Sequence, residues 1–209
     1  MKTAPASTSE LHTFYDLVHD IETAMMTTRR TNGHLRSRAM ATQKRAPGAD
    51  LWFVTCEGSA KLVDLAYDPH VNLSYFRNRN REWVSVSGVA TISRDRTKIR
   101  RLWAPDWKFW FPDEGGEKDG GPDDPRILLI GVNARSAQYM TLEKPQPLVL
   151  FELVKSKLTG KTPEIGKVKE VRLRHRASTE RAAGRRSSAH RNPDTGVRSG
   201  GTSGRRARS

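Results

Sequence analysis

The spacing of apolar residues near the start of the chain is helical. Ser7 and Glu10 stand three residues apart, as the two partners of a capping box do, and this spacing marks a helix start. The apolar positions that follow recur every three or four residues, at Leu11, Phe14, Leu17, Val18 and Ile21. This pattern predicts an amphipathic first helix.

Strand-like patterns dominate the chain from there to about residue 173. Asn32-Gly33 lies between two alternating segments and predicts a hairpin with strands near 24–30 and 34–43. Alternation or short apolar runs predict further strands at 50–56, 71–76, 82–92, 126–134, 137–143 and 166–173, and helical spacing predicts helices at 59–69, 94–103 and 146–161. Short consecutive strands with peripheral helices are typical of an antiparallel barrel, here of about six strands.

The composition changes in the last part of the chain. Residues 172–209 contain eleven Arg, no Lys and two acids, and they carry about +9 of the net charge of +14. We therefore predict two parts, a folded domain over 1–173 and a disordered basic tail over 174–209. The tail could contact nucleic acid nonspecifically through charge, but it has no aromatic residue for base stacking. The alternative is an extension without function.

Several classes of protein and of site find no support in the sequence. The N-terminus has no apolar run typical of a signal peptide, and no segment is apolar enough to cross a membrane. The single cysteine, Cys56, fits a reducing compartment, so we expect a cytoplasmic protein without membrane contact. The six His show no metal-ligand spacing, and no catalytic acid or base can be named.

Basic and hydroxylic residues recur at neighbouring predicted elements. Arg36 and Arg38 lie on the second hairpin strand, and Thr55, Ser59 and Lys61 surround the turn from a strand into a helix. Helix N-termini, guanidinium groups and ammonium groups all favour anions, so this set predicts a phosphate site. The alternative is a solvated basic face.

Aromatic residues crowd into a single stretch, residues 102–116. It holds three of the five Trp of the chain, followed by a loop rich in Gly and Asp. Its aromatic residues are Trp103, Trp107, Phe109, Trp110 and Phe111. They either fill the core or cover a flat ligand.

Together, these segments resemble a known family. The matching stretches are 27–40, 50–65, 80–95, 102–116, 123–140 and 158–163, which follow one another in the family's order over roughly residues 9–173. The chain resembles the pyridoxamine-phosphate-oxidase-like split-barrel flavoproteins, in particular their general stress protein branch. The resemblance implies a mainly β fold, a six-stranded antiparallel split barrel, and a homodimer that binds FMN at its interface.

The resemblance also implies roles for individual residues. The hairpin arm with Arg36, Ser37 and Arg38 would contact the phosphate or ribityl chain of FMN, and Thr55, Ser59 and Lys61 would complete the phosphate site. Phe53 and Val54 would line the flavin, and Trp107, Trp110 and Phe111 would cover its ring, with the partner subunit as one possible source. Two residues depart from the family's oxidases: Gln43 replaces a Lys near the ring, and Trp83 replaces a Gln beside it. These departures argue against pyridoxamine phosphate as the substrate.

Three functional hypotheses remain open at this point. The first is an FMN-binding flavoprotein, either an oxidoreductase for a small molecule or a stress-related flavin-binding protein. The second is a nucleic-acid-associated protein in which the barrel is a dimerisation scaffold and the tail binds. The third replaces FMN by haem or a deazaflavin, and the predicted phosphate site favours FMN over haem.

Overall fold

The structure is a computed structural model of the chain, and it describes residues 7–141 and 167–173. Its α-helices are α1 (Thr8–Ile21), α2 (Ala60–Tyr67) and α3 (Arg96–Leu102), and a 3₁₀-helix spans Pro105–Phe109. The strands of the described residues are β1 (Thr23–Arg29), β2 (Leu35–Ala41), β3 (Leu51–Cys56), β4 (His70–Arg77), β5 (Glu82–Ser93), β6 (Ile127–Thr141) and β7 (Lys167–Arg172). The predicted helix at 146–161 and the basic tail lie outside the described residues. None of the helices in the described part of the chain is long and apolar enough to cross a membrane.

The first helix begins at the predicted capping box. The Ser7 hydroxyl accepts a hydrogen bond from the Glu10 N–H at 3.2 Å, and the Glu10 carboxylate accepts one from the Ser7 N–H at 2.8 Å. The two bonds satisfy N–H groups that have no partner within the helix. Phe14, Leu17 and Val18 bury the apolar side of α1 against the barrel.

The predicted hairpin is confirmed, with its turn around Thr31 and Asn32. The Gly33 N–H donates to the Arg30 carbonyl and the Arg30 N–H donates to the His34 carbonyl, each at 2.8 Å. Gly33 has a φ of +82°, a backbone conformation that costs glycine little. The arms pair from Thr23 with Ala41 to Arg29 with Leu35.

The strands form the expected antiparallel barrel. Six of them follow the order β2-β1-β4-β5-β6-β3, and a bridge between Thr42 and Phe53 joins the two ends of this path. Along one edge of β6, the first half of the strand pairs with β3 and the second half with β7. The barrel therefore opens between β3 and β7, and β7 is a seventh strand beyond the six-strand path.

The predicted division of residues 126–143 into two strands is wrong. Residues 127–141 form one continuous strand, and its register with β5 shifts between Ser87–Ser136 and Gly88–Ala134. Arg135 is the extra residue of this β-bulge. A Cβ atom at Gly88 would lie 2.7 Å from the Asn133 carbonyl oxygen, so the close approach of the strands at the bulge requires glycine.

Two hydrophobic cores lie on opposite sides of β3 and β6. The inner core fills the barrel and includes Phe53 and Ile130. The outer core packs α3 and the aromatic stretch on the outer side of the same strands; its buried members are Ala46, Trp52, Ile99, Leu102, Trp107, Phe111, Ile127 and Leu129. The two strands are thus apolar on both faces, which explains their continuous apolar sequences.

Candidate functional site

The inner-facing side of the hairpin arm contacts the middle of α2, at Asp64. Arg38 donates from both terminal nitrogens to the Thr28 hydroxyl at 2.9 Å, and it forms an ion pair with Asp64 at 2.9 Å. Thr28 also donates to Asp64 at 2.8 Å. Because the Arg38 and Asp64 side chains are only 17% and 7% exposed, this pairing holds the guanidinium firmly against α2.

Lys61 lies beside this group and extends the positive charge. Its ammonium group donates to the Thr55 hydroxyl at 2.9 Å, and Thr55 and Ser59 share a hydrogen bond of 3.1 Å. Among the described residues Lys61 forms no ion pair. Burial and the charge of Arg38 lower the pKa of Lys61 below its ordinary value. The sequence-predicted phosphate residues Arg38, Thr55, Ser59 and Lys61 are therefore brought together; we call them the cationic cluster.

Two members of the surrounding network could not be assigned a role from the sequence. Thr28 is 1% exposed and Asp64 is 5% exposed, and both contact Arg38. Asp64 precedes the buried Leu65 on the inner side of α2. The sequence did contain one indication of this role: Asp64 occupies a helix position that faces the core. An acid is rarely buried without a charged partner, so such a position indicates a nearby cation.

Not every residue of the predicted hairpin arm reaches the cationic cluster. Arg36 lies two residues from Arg38 on the same side of β2, and it is half-buried. Ser37 points to the opposite, outer side, where its hydroxyl forms a 2.7 Å hydrogen bond with Thr27. The Ser37 side chain is therefore separated from the cluster, although its backbone belongs to the same arm.

The predicted ring-contacting residues lie along β3 and the segment after β2. Phe53 is fully buried in the inner core, with its backbone as well as its ring unexposed, whereas Val54 is half-buried on the outer side. Gln43 accepts a hydrogen bond from the Trp107 indole at 2.9 Å and donates one to the Ala41 carbonyl at 3.0 Å. A cavity of about 160 Å³ beside Gln43 is smaller than typical ligand pockets of about 300–1,000 Å³.

The crowded aromatic residues divide into two groups. Trp107 and Phe111, only 1% and 2% exposed, fill the outer core, so they do not cover a ligand. Trp103, directly after the last residue of α3, also packs against this core. Phe109 and Trp110 project outward, 80% and 70% exposed, with their rings edge to face at 5.0 Å. Of the predicted ring cover, only Trp110 remains available.

Trp83 lies on the outer side of the barrel, on β5. It pairs with Phe76 on β4 and with Met140 at the far end of β6. The aromatic stretch packs on Ile127 and Leu129 at the start of β6. Trp83 and Trp110 therefore lie near opposite ends of the β5–β6 pair.

Comparisons with known proteins agree with this architecture. The protein bli-3 of Neurospora crassa is 38% identical over 151 residues, which cover 71% of this chain and 72% of that protein. A candidate general stress protein 26 from Jannaschia sp. is 25% identical, with a TM-score of 0.64 over 80% of this chain and all of that one. The general stress FMN/FAD binding protein of Xanthomonas citri is 23% identical and shares the fold, with a TM-score of 0.54 over 67% of this chain and 93% of that one.

The family assignment rests on a match that covers most of the described residues. The model of the family 'pyridoxamine 5'-phosphate oxidase like' matches residues 9–164 of this chain. These residues include the cationic cluster, Gln43, Trp83 and Trp110. The match spans well over half of the chain and agrees with the barrel topology. The chain belongs to the pyridoxamine 5'-phosphate oxidase-like family.

Proposed function

We propose that this protein is an FMN-binding homodimer whose cationic cluster holds the phosphate of the cofactor. The observation that carries the proposal is the position of Lys61. Its ammonium group lies close enough to Arg38 for the repulsion to lower its pKa, and no carboxylate in the described part of the chain neutralises it. A phosphate would supply the missing negative charge.

The cluster suits a phosphate in its chemistry as well as its charge. The Thr55 and Ser59 hydroxyl groups lie beside Lys61, and Ser59 precedes α2 without capping its first turn. The N–H groups of that turn are therefore not occupied by the Ser59 side chain. Hydroxyl groups, backbone N–H groups and cations together are the usual partners of phosphate oxygens.

Gln43 offers the flavin ring a neutral hydrogen-bond donor with a fixed orientation. The Trp107 indole can only donate and the Ala41 carbonyl can only accept, so the amide oxygen of Gln43 must face Trp107. One N–H of the amide remains for a ligand. Bound FMN would supply hydride transfer, and the chain would orient it. With Gln43 and Trp83 in the site, we propose a small molecule other than pyridoxamine phosphate as substrate, or a stress-related role in flavin binding.

The outer side of the barrel supports the proposed homodimer. Charged residues make up 29% of the chain, yet the two middle rows of this face carry none on β4, β5 and β6; only their β7 members, Arg172 and Glu170, are charged. On β4, β5 and β6 the paired outer residues are polar and uncharged: Asn72, Ser87 and Ser136 in one row, and Ser74, Ser85 and Gln138 in the next. Depletion of charge is typical of the core of protein interfaces.

The test distinguishes the contribution of the FMN phosphate to binding from that of the rest of the flavin. FMN and riboflavin are titrated against the wild-type protein, Lys61→Met and Lys98→Met, and binding is followed by the visible absorption of the flavin. Lys98 is a matched control because it is also half-buried but pairs with Asp95. Loss of one charged hydrogen bond should weaken FMN binding to Lys61→Met by about 10- to 100-fold. Riboflavin binding to this variant, and both ligands' binding to Lys98→Met, should stay unchanged.

Two results would contradict the proposal: wild-type protein that binds no flavin, or equal losses for FMN and riboflavin in Lys61→Met. Weaker flavin binding by Lys61→Met should not result from unfolding of this variant. A lysine whose pKa is lowered by folding destabilises the folded state while it is charged, and this cost disappears as the pH rises through its folded-state pKa toward 10.5. The melting temperature of ligand-free Lys61→Met at pH 7 should therefore not fall below that of the wild type.

A further inference from the structure

Asp64 stands close to both cations of the cationic cluster, yet it pairs with only one of them among the described residues. It lies three residues after Lys61 on α2, a spacing that places the two Cβ atoms about 5–6 Å apart on one side of the helix. The Asp64 carboxylate nevertheless pairs with Arg38 at 2.9 Å. The Lys61 ammonium group donates to the Thr55 hydroxyl at 2.9 Å. A neutral oxygen therefore holds Lys61, although an acid lies within one turn of the helix.

Arg38 and Thr28 occupy the Asp64 carboxylate together. The Thr28 hydroxyl donates its single proton to Asp64 at 2.8 Å, so it accepts the two N–H groups of Arg38 through its lone pairs. Arg38 donates to the same Asp64 oxygen, Oδ2, at 2.9 Å. Thr28 and Asp64 are both buried, so solvent contributes little to these contacts. The carboxylate is therefore committed to Arg38 and Thr28.

This arrangement points to a role for Arg38 besides direct contact with a phosphate. A buried carboxylate requires a charged partner, and without Arg38 the ammonium group three residues earlier on α2 would be within its reach. We propose that Arg38 binds the Asp64 carboxylate and so prevents it from pairing with Lys61, which keeps the Lys61 ammonium group free for the phosphate. The inference rests on the proposed FMN site and deepens it: Arg38 and Asp64 are positioning residues that act through Lys61.

The charges of the site lead to a distinctive expectation. Arg38→Met leaves Lys61 and Asp64, whose charges cancel when they pair. Replacing Asp64 as well leaves Lys61 unpaired, so the double variant Arg38→Met/Asp64→Asn should bind a phosphate more tightly than Arg38→Met. If Arg38 acted only by touching the phosphate, removal of Asp64 would have the same effect with and without Arg38. The proposal instead requires that the two substitutions be coupled.

A double-mutant cycle in FMN affinity tests this coupling. FMN and riboflavin are titrated against the wild-type protein, Arg38→Met, Asp64→Asn and the double variant, and binding is followed by the visible absorption of the flavin. Arg38→Met should weaken FMN binding about 100-fold, and adding Asp64→Asn should recover at least about tenfold. Asp64→Asn alone should change FMN affinity by less than about threefold. Riboflavin, which lacks the phosphate, should bind equally well to all of these proteins.

Asp68→Asn is the matched control for removing an acid from this helix. Asp68 follows the last residue of α2, four residues after Asp64, and it pairs with Arg29 and His70. In the Arg38→Met background this substitution should restore no FMN binding. Equal effects of Asp64→Asn with and without Arg38 would overturn the proposal, and so would a double variant that binds FMN no better than Arg38→Met.

The partner of Lys61 can also be followed without flavin. Burial and the charge of Arg38 lower the pKa of Lys61, whereas Cys56 at the end of β3 acts in the opposite direction and is unchanged in these variants. In ligand-free protein, an NMR titration of isotope-labelled lysine should give Lys61 a higher pKa in Arg38→Met than in the double variant, because only the former retains Asp64. Equal pKa values would overturn the proposal.

The two measurements separate this inference from the proposed FMN site. Wild-type protein that binds no flavin would contradict the FMN site, and the lysine titration would still decide whether Arg38 keeps Asp64 from Lys61. If Arg38→Met does not fold, the double variant decides, since it contains neither member of the buried ion pair. It should bind FMN within about tenfold of the wild type, and a loss of about 100-fold would overturn the proposal.

Discussion

At the residue scale, Asp124 shows how one buried carboxylate organises the surface beside the site. Its side chain is fully buried and accepts hydrogen bonds from the Gly120 N–H at 2.9 Å and from Arg126. Burial alone would raise the pKa of Asp124, but the hydrogen bonds and charge of Arg126 and the backbone N–H groups outweigh it and lower the pKa to about 2. Asp124 is therefore charged at neutral pH, and it fixes the loop that follows Trp110.

This network should make stability depend on pH in the acid range. The pKa of Asp124 is lower in the folded state than its ordinary value of 3.8, so its contribution is complete above about pH 5 and is lost as the pH falls toward 2. The shift corresponds to about 2 kcal/mol of unfolding free energy. Asp124→Asn should lower the unfolding free energy at pH 7 by about 2–4 kcal/mol, because Arg126 loses its buried partner.

Urea unfolding at pH 7 and pH 3 measures both effects. The variant should lose less stability than the wild type between the two pH values. Asp123→Asn is the control, since Asp123 forms an exposed pair with Arg100, and such pairs contribute about 0–1 kcal/mol. Equal effects of the two substitutions would show that the Asp124 network contributes little.

At the element scale, local signals were enough to place most helices and strands. The capping box of α1, the Asn32-Gly33 hairpin and the apolar run of β3 each depend on neighbouring residues only. The continuity of β6 could not be read in this way. The bulge at Arg135 depends on the register of β5 and on Gly88, which lies 47 residues away in the sequence.

The same distinction holds for the candidate site. Arg38, Thr55 and Lys61 could be predicted because a strand end, a turn and a helix start are recognisable in the sequence. Asp64 could not be assigned to the site, since its contact with Arg38 depends on how α2 packs on the hairpin. In the aromatic stretch, Trp107 and Phe111 are four residues apart and share the buried side of a helical turn, which leaves Phe109 and Trp110 outside.

Gly131 allows the aromatic layer to pack on the barrel. A Cβ atom at this position would lie 2.9 Å from the Trp52 ring and 3.0 Å from the Ala49 Cβ atom. Gly131→Ala should therefore displace the Trp52 ring and lower the unfolding free energy by about 1–3 kcal/mol in chemical denaturation. The cost should be smaller in a Trp52→Phe background, where the side chain is smaller. An equal cost in both backgrounds would show that the strain arises elsewhere.

At the scale of the whole molecule, the site residues are distributed over a surface longer than one flavin. Trp83 and Trp110 lie near opposite ends of the β5–β6 pair, and the cationic cluster lies where the hairpin arm meets α2 and the turn before it. A two-fold dimer is the simplest way to bring Trp83 and Trp110 together. The functional unit that we propose is therefore the dimer of barrels, without a contribution from the basic tail.

The fragment 1–173 should then retain both flavin binding and dimerisation. It contains every residue of the cationic cluster together with Gln43, Trp83 and Trp110, whereas residues 174–209 contain ten Arg and two acids. We expect its affinity for FMN to match that of the full chain within twofold, and any binding of single-stranded nucleic acid to be lost with the tail. In the full chain such binding should weaken steeply between about 50 and 200 mM salt, because it rests on charge alone. Parallel titrations of the full chain and the fragment with FMN and with a labelled oligonucleotide measure both affinities. A fragment that dimerises but no longer binds FMN would place part of the flavin site in the tail and contradict the proposed boundary at residue 173.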